Sequence, residues 1–428
     1  MRIAMLSYHT CPLATLGGKD TGGMNVYVRE ITRQLGAMGI HVDVFTRSQN
    51  EHVPHVLHDL GYGNRIVHIP AGPEYPLPKK ELVTYLPQFV EGIQAFAISK
   101  GITYDLIHSH YWMSGIAAIE LKKNWGTPIV HMFHTLGLMK NRVAQSPEEM
   151  EGEYRIDGER EVLKAADKII AATTAESVQL LWLYQADDNK ILVIPPGVDV
   201  CKFYPIPPDE AKEYIGVPPC GRMLLFVGRM EPLKGLNVLI EAISLMRRNE
   251  VLRDNPFCLA IIGGDPDDGG EQTDVELSRV KVLTEQYGLN DMVTFLGNRS
   301  QDSLPYYYSA AEAVVVPSQY ESFGMVALEA MACGTPVVAS QIGGLAYLVQ
   351  DGVTGYTVPV DDPNELATRI TSLLQDSNLR DQMGRQAERL AQDYAWNKIA
   401  DKLVPVYESL LRNAAGDQSS GGAAMRVG

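Results

Sequence analysis

Residues 313–340 read AVVVPSQYESFGMVALEAMACGTPVVAS. The run opens and closes on short apolar segments, AVVVPS (313–318) and PVVAS (336–340), that suit buried strands of a parallel sheet. Residues 323–332 between them read as a helix, which makes the stretch a strand–helix–strand unit. Two carboxylates, Glu321 and Glu329, are separated by seven residues. Glu321 falls in the loop ahead of the helix and Glu329 on its second turn. Both can reach the space above the helix N-terminus, where backbone N–H groups and the macrodipole favour an anion. Anion-binding backbone beside two hydroxyl-seeking carboxylates suits a sugar nucleotide. A solvated loop acid followed by an ordinary helix acid has the same spacing, so the spacing alone leaves both readings open.

The same alternation runs through the chain twice. RIAMLSY, HVDVFTR, RIVHIPA, LIHSH, PIVHMFH, KIIAAT and ILVIPPG in the first half, then MLLFVGR, CLAIIGG, MVTFLG, AVVVPS and PVVAS in the second, are apolar runs of strand length. Amphipathic segments such as 26–38, 82–99 and 236–248 lie between them. This predicts an α/β protein with two Rossmann-like, doubly wound parallel-sheet domains. Two such domains are expected, 1–197 and 198–386, joined near Pro195-Pro196-Gly197 with 198–218 as linker. Ligands of open α/β sheets bind at the carboxyl ends of the strands, hence in the expected cleft between the domains. The tail 413–428, small and polar, is expected to be disordered.

Length and composition, 428 residues with 45% hydrophobic and 21% charged, are those of a globular protein. No apolar run reaches the roughly 18 residues of a membrane span, and MRIAMLSYHT lacks a signal-peptide pattern. Integral membrane association is not expected. A net charge of −15 argues against general nucleic-acid binding. Five scattered cysteines (Cys11, Cys201, Cys220, Cys258, Cys333) without CxxC pairing suggest free thiols in a cytoplasmic protein.

Three further motifs carry chemistry. The loop Gly17-Gly18-Lys19-Asp20-Thr21-Gly22-Gly23 follows the first strand and precedes a helix beginning near Met24, so its backbone can approach a phosphate. It is not a GxGxxG fingerprint, and the second strand ends in Thr46-Arg47 rather than an acid, which weighs against a dehydrogenase. Arg229 and Lys234, in Gly228-Arg229-Met230-Glu231-Pro232-Leu233-Lys234-Gly235, follow the first strand of the second half. There they can neutralise a diphosphate leaving group without a divalent metal. His108, His110, His131 and His134 close two strands, but nothing shows metal-ligand spacing; His52, His55 and His58 read as non-ligands. His134 and Thr135 read as hydrogen-bonding groups lining the site. Lys79, Lys80, Lys140 and Arg155 lie on separate segments and could converge on an anionic acceptor or stay dispersed on the surface.

With these residues in view the chain resembles the retaining family-four glycosyltransferases, which have the two-Rossmann-domain GT-B fold. The matching pieces are GGMNVYVREITRQL, DLIHSHYW, HTLG, PPGVD, FVGRMEPLKG, PSQYESFGMVALEAMACGTPVVAS, Gly343-Gly344 and DGVTGYTV, in the family order. The resemblance implies that 1–197 binds the acceptor, that 198–386 binds the nucleotide-sugar donor, and that a helix at 387–412 returns to the first domain. It implies that Gly22 and Gly23 offer N–H groups to the donor's distal phosphate and that Arg229 and Lys234 bind the diphosphate, with no metal or other cofactor required. Glu329 would hold the ribose and Glu321 the donor sugar, in the segment Glu321-Ser322-Phe323-Gly324, and His134 would contact the sugar near its 6-hydroxyl. His134, Arg229, Lys234 and Glu321 would thus form the catalytic set, with front-face attack and the leaving phosphate taking the acceptor's proton. Lys79, Tyr111, Thr135 and Arg155, with Asn25 nearby, match positions that contact an acceptor phosphate.

Two branches fit: sucrose-phosphate synthase, and the inositol-phosphate N-acetylglucosaminyltransferase of mycothiol synthesis. The Met24-Asn25 pair resembles the latter, whereas HTLGLMK (134–140) resembles the former, the other branch having alanine for Gly137. The expected reaction is transfer from UDP-glucose to fructose 6-phosphate, with UDP-N-acetylglucosamine and inositol phosphate the alternative. A nucleotide-sugar-binding protein without catalysis and an epimerase of the same fold are readings from other classes.

Overall fold

A computed structural model describes residues 1–14, 21–144, 146–216, 221–253, 256–264 and 271–421. Residues 17–20 of the glycine loop and Cys220 lie outside them. The chain divides into two compact units. One takes Met1–Ala14, Gly23–Pro195 and the C-terminal segment from Trp396; the other takes Pro196–Ala395 and, of the described loop residues, Thr21 and Gly22.

The first unit is an eight-stranded sheet of β1 (Arg2–Leu6), β2 (His41–Arg47), β3 (Val56–Leu57), β4 (Arg65–Ile69), β5 (Leu106–His110), β6 (Ile129–Met132), β7 (Lys168–Ala171) and β8 (Ile191–Val193). The strand order is β3-β4-β2-β1-β5-β6-β7-β8. All pairs are parallel except β3 with β4. The second unit has six parallel strands, β9 (Met223–Val227), β10 (Cys258–Ile262), β11 (Val293–Gly297), β12 (Ala311–Val316), β13 (Val337–Ser340) and β14 (Gly355–Val358). Their order is β11-β10-β9-β12-β13-β14. Both are the doubly wound sheets that the strand–helix alternation predicts. Central strands such as β5 and β10 are buried along their whole length, because helices cover both faces.

The winding order positions the sites. It reverses between β1 and β5 in the first sheet and between β9 and β12 in the second. At such a switch point the loops leaving two neighbouring strands diverge and open a crevice. The loop bearing Arg229 and Lys234 leaves β9, and the loop bearing Glu321 leaves β12 beside it.

Several details depart from the sequence reading. Two edge strands escape the sequence reading: β3 has only two residues, and β14, with Tyr356 and Thr357 only partly buried, presents no continuous apolar run. Within 198–218, read as linker, Pro208–Ile215 is a helix of the second unit, with Tyr214 stacked on Tyr306 at 3.8 Å. The helix expected over 387–412 is broken. Residues up to Ala391 end the helix Ser377–Ala391, and a new helix, Trp396–Gly421, starts after Ala395. The break is fixed by pairing with the linker, Val198 N–H donating to Tyr394 O at 2.8 Å, which local periodicity does not encode. That last helix continues through 413–421, part of the expected disordered tail, since an established helix adds a hydrogen bond with each residue; residues 422–428 lie outside the described ones. The expectation of five free thiols is also corrected. Cys258 is disulfide-bonded, and Cys11, Cys201 and Cys333 are free. A sequence without paired spacing carries no sign of a bridge between distant positions.

Among the described residues no helix is long and apolar enough to cross a membrane, and no group of three or more His, Cys, Asp or Glu side chains could hold a metal ion.

Candidate active site

In the second unit the loop after β12 is braced from two sides, by the loop after β9 and by the chain leaving β13. Gln319 N–H donates to Leu233 O at 2.8 Å, and Lys234 Nζ donates to Glu321 Oε2 at 2.7 Å. Gly344 N–H donates to Glu321 O at 3.2 Å, and a Cβ on Gly343, at φ +50°, would stand 1.9 Å from the same oxygen. Only glycine lets the chain leaving β13 approach so closely. Arg229 Nη1 pairs with Glu231 Oε1 at 2.6 Å, and a Cβ on Gly22 would lie 3.9 Å from Arg229 Nε. Gly22, Arg229, Lys234 and Glu321 therefore belong to one unit and one end of its sheet.

The helix behind Glu321 runs Met325–Ala332, with Gly324 at its N-cap in the left-handed region (φ +107°) and no side chain capping its first turn. Its leading N–H groups follow Ser322 and Phe323 and carry the positive end of the helix dipole. Glu329 does not stand open above that N-terminus as the spacing suggested. It is buried, and its Oε2 accepts the Tyr308 hydroxyl at 2.8 Å. Helical geometry turns position 329 toward the neighbouring helix Leu304–Ala310. Burial, reinforced by Glu329, pushes the Tyr308 pKa up, so the hydroxyl keeps its proton and donates.

In the first unit the hub is Arg155, on the helix Glu153–Ala165 and fully buried. Its Nε donates to Glu159 Oε1 at 2.9 Å, its Nη1 to Glu151 Oε1 at 2.6 Å, and its Nη2 to Thr135 O and Oγ1 at 3.0 and 3.1 Å. The guanidinium lies 5.0 Å from the Tyr111 ring centroid, and Lys79 Nζ lies 5.8 Å from it. Lys140 Nζ donates to Glu151 Oε1 at 2.7 Å. Burial works against the charged guanidinium, yet Tyr111, Glu159 and Glu151 outweigh it and hold its pKa above the usual value. Burial likewise acts to raise the Glu151 carboxyl, but Arg155 and Lys140 prevail and keep it low. The structure thus brings together Lys79, Tyr111, Thr135, Lys140 and Arg155, whereas Lys80 is exposed. Asn25 is buried elsewhere in the loop network, its Nδ2 donating to Thr10 Oγ1 and Cys11 O at 2.8 Å.

Two non-glycine residues here hold positive φ, Tyr111 (+70°) directly after β5 and His134 (+62°) after β6. Such strain persists where the surroundings over-determine it, and it concentrates at functional sites. His134 Nε2 shares a 2.9 Å hydrogen bond with His110 Nδ1, and the Tyr27 ring packs 5.4 Å from both imidazoles. Burial, with His108 adding to it, pushes the His134 pKa down to about 3. His134 is therefore a neutral hydrogen-bonding group near pH 7. Tyr407, on the helix that re-enters this unit, holds His108 Nδ1 through its hydroxyl at 2.8 Å.

Sequence reasoning missed Glu151, Glu159, Tyr184 and Tyr308, and it gave His110 no role beyond the histidine cluster. Glu159 was discoverable, standing four residues after Arg155 on one helix; Glu151 precedes that helix, and its place beside the guanidinium depends on the loop that Asn141 clamps. Tyr184, whose hydroxyl also bonds Glu159, has no local signal. Arg47, read as the wrong residue for a dinucleotide ribose, has a structural duty. Its guanidinium gathers the carbonyls of Ala71, Pro73 and Tyr75.

Two doubly wound units with these loops at their switch points define a glycosyltransferase of the GT-B type. Residues 21–202 match the family model Glycosyltransferase Family 4 and residues 209–390 the model Glycosyl transferases group 1. The chain belongs to the family-four glycosyltransferases. It is 40% identical over 413 residues to D-inositol 3-phosphate glycosyltransferase 2 of Catenulispora acidiphila, covering 96% of each chain. It is 40% identical to D-inositol 3-phosphate glycosyltransferase of Actinosynnema mirum, covering 95% of this chain and 96% of that one. The solved sucrose-phosphate synthase of Thermosynechococcus elongatus superposes with a TM-score of 0.87 at 35% identity, covering 96% of this chain and 99% of that one.

Proposed function

We propose that this enzyme is a retaining hexosyltransferase that moves glucose from UDP-glucose to fructose 6-phosphate, as a sucrose-phosphate synthase does, without a catalytic metal. The observation that carries the reading is the Arg155 hub. Lys79 and Arg155 flank the Tyr111 ring, Arg155 also bonds Thr135, and Lys140 meets Arg155 at Glu151, a cluster of cations that suits a phosphate better than a lipid or a neutral sugar. The uncapped helix N-terminus at Gly324, with Arg229, Lys234 and Gly22, supplies the matching cradle for a donor diphosphate. Glu329 and Glu321 would hold the ribose and the glucose, and His134, neutral and tethered by His110, would donate to or accept from the sugar near its 6-hydroxyl.

In this reading the bond from the anomeric carbon to the distal UDP phosphate breaks as the acceptor oxygen attacks the same face. The acceptor's proton passes to the departing phosphate oxygen. Arg229 and Lys234 take up the negative charge that develops there, while Glu321 stabilises the positive charge on the sugar.

The fructose 6-phosphate reading follows from Gly137, by which the sequence resembles the sucrose branch. A Cβ there would meet Ile156 Cδ1 at 2.6 Å and press on Glu159 and Arg155 at 3.1 and 3.2 Å. The residue that resembles the sucrose branch is thus fitted to this chain's phosphate hub. D-inositol 3-phosphate is the second reading, supported by the names of the curated relatives. UDP release measured across donors and acceptors tests both. Turnover with UDP-glucose and fructose 6-phosphate, lost in Glu321→Ala with UDP affinity kept, is the expected result. Turnover with inositol phosphate alone transfers the proposal to the second reading, and activity only on a lipid acceptor overturns both.

A further inference from the structure

The two carboxylates on Arg155 are not equivalent. Glu159 is wholly buried and fully engaged: its oxygens also accept Gly137 N–H at 3.0 and 3.1 Å and the Tyr184 hydroxyl. It belongs to the wall of the pocket. Glu151 is partly exposed, and the side-chain partners of its carboxylate are the cations Lys140 and Arg155. Its backbone, by contrast, is clamped. Glu151 N–H donates to Asn141 Oδ1 at 2.6 Å, and Asn141 Nδ2 donates to Glu151 O at 3.0 Å. The carboxylate can therefore leave by rotation of its own side chain, with no movement of the loop.

The charges agree with such an exchange. Turning the Glu151 carboxylate out removes one negative charge from beside Lys140 and Arg155, and a phosphate monoester dianion restores negative charge there. Both groups are planar or tetrahedral oxyanions recognised by the same donors, and Arg155 Nη1 presents to Glu151 the geometry it would present to a phosphate oxygen.

We propose that the Glu151 carboxylate is a built-in stand-in for the acceptor's phosphate, holding Lys140 and Arg155 in place until a dianionic phosphate ester displaces it. The inference rests on the reading of this pocket as the acceptor-phosphate site. Glu151 is then a specificity device. An unphosphorylated sugar brings no charge with which to displace a paired carboxylate, so it is excluded by more than the contacts it lacks. A buried cation left without its anion is costly, and the exchange avoids that state at every stage.

The test compares wild type with Glu151→Gln. Calorimetry with inorganic phosphate should show tighter binding in the variant by about tenfold, and initial rates should show a smaller preference for the phosphorylated over the unphosphorylated acceptor. Unchanged or weaker phosphate binding in a folded variant overturns the proposal, because Glu151 would then support the site rather than compete for it. A crystal structure of the wild type with inorganic phosphate decides the matter independently of the variant. Phosphate on Arg155 with the Glu151 carboxylate turned away is expected; phosphate bound with the Glu151–Arg155 pair intact, or no phosphate at the hub, is the contrary result. Failure of the functional reading has a different signature. Phosphate exchange at the hub without transfer to any phosphorylated acceptor sinks that reading alone. Transfer to such an acceptor with no effect of Glu151→Gln sinks this one.

Discussion

Replacing Arg155 with Met separates what the guanidinium does for the fold from what it does for the acceptor. The substitution keeps most of the volume and removes every donor of the hub, leaving Glu159 buried with only Gly137 N–H and Tyr184 as donors. Removing one partner of a buried pair costs about 3–5 kcal/mol, because the other charge remains uncompensated. At roughly 2–4 °C per kcal/mol for a unit of this size, the melting temperature of Arg155→Met should fall by about ten degrees. Adding Glu159→Gln removes the stranded charge while preserving shape, and most of that loss should return. Acceptor binding should not return with it. Charge-assisted hydrogen bonds contribute about 1.5–3 kcal/mol each, so the KM for fructose 6-phosphate should rise by roughly 10–100-fold in both variants. UDP affinity should be unchanged, because Arg155 lies in the first unit and the donor cradle in the second. The assay is thermal denaturation beside initial rates at saturating UDP-glucose, read as a double-mutant cycle. If the double variant recovers the acceptor KM together with its stability, Arg155 is a structural residue and the reasoning fails.

Two shorter expectations accompany it. Burial raises the Glu176 carboxyl from 4.5 to about 7, so the folded chain favours its protonated form and loses stability as pH rises from about 4.5 through 7. Glu176→Gln should therefore stabilise the protein by on the order of 3 kcal/mol at pH 8 and by little at pH 4.5, an equal shift in melting temperature at both pH values being the contrary result. Gly343→Ala should drive its methyl into Glu321 O, 1.9 Å away, and lower kcat at least tenfold with only a modest loss of melting temperature; undiminished activity would show that the glycine does not fix the Glu321 loop.

The fold was legible almost strand by strand, because a parallel strand buried on both faces must be a short apolar run whatever its neighbours are. What escaped were β3, of two residues, β14, which lacks a continuous apolar run, and the break at Gln392–Ala395, where Val198 from far back in the chain pairs with Tyr394. The candidate site was legible to a similar depth. Glu321, Arg229 and Lys234 could be placed at strand ends from their order alone, and the structure joins Lys234 to Glu321 by an ion pair. Glu329 was placed correctly on its helix, but its facing toward Tyr308 depends on which helix lies alongside.

The sequence by itself determined the class of fold and the family, and it offered the candidate residues for the proposed site, because periodicity and motif order are properties of the chain in one dimension. Only the tertiary structure decided which charges meet. Lys79, Lys140 and Arg155 are separated by up to 76 residues, and nothing in their spacing distinguishes a cluster from scattered surface cations. The stacking of β5 against β6 brings Tyr111 and Thr135 to one edge, and the helix Glu153–Ala165 carries Arg155 beneath them. Burial then makes Arg155 dependent on Glu159 and Glu151, because in a low dielectric an unpaired charge costs far more than it does in water.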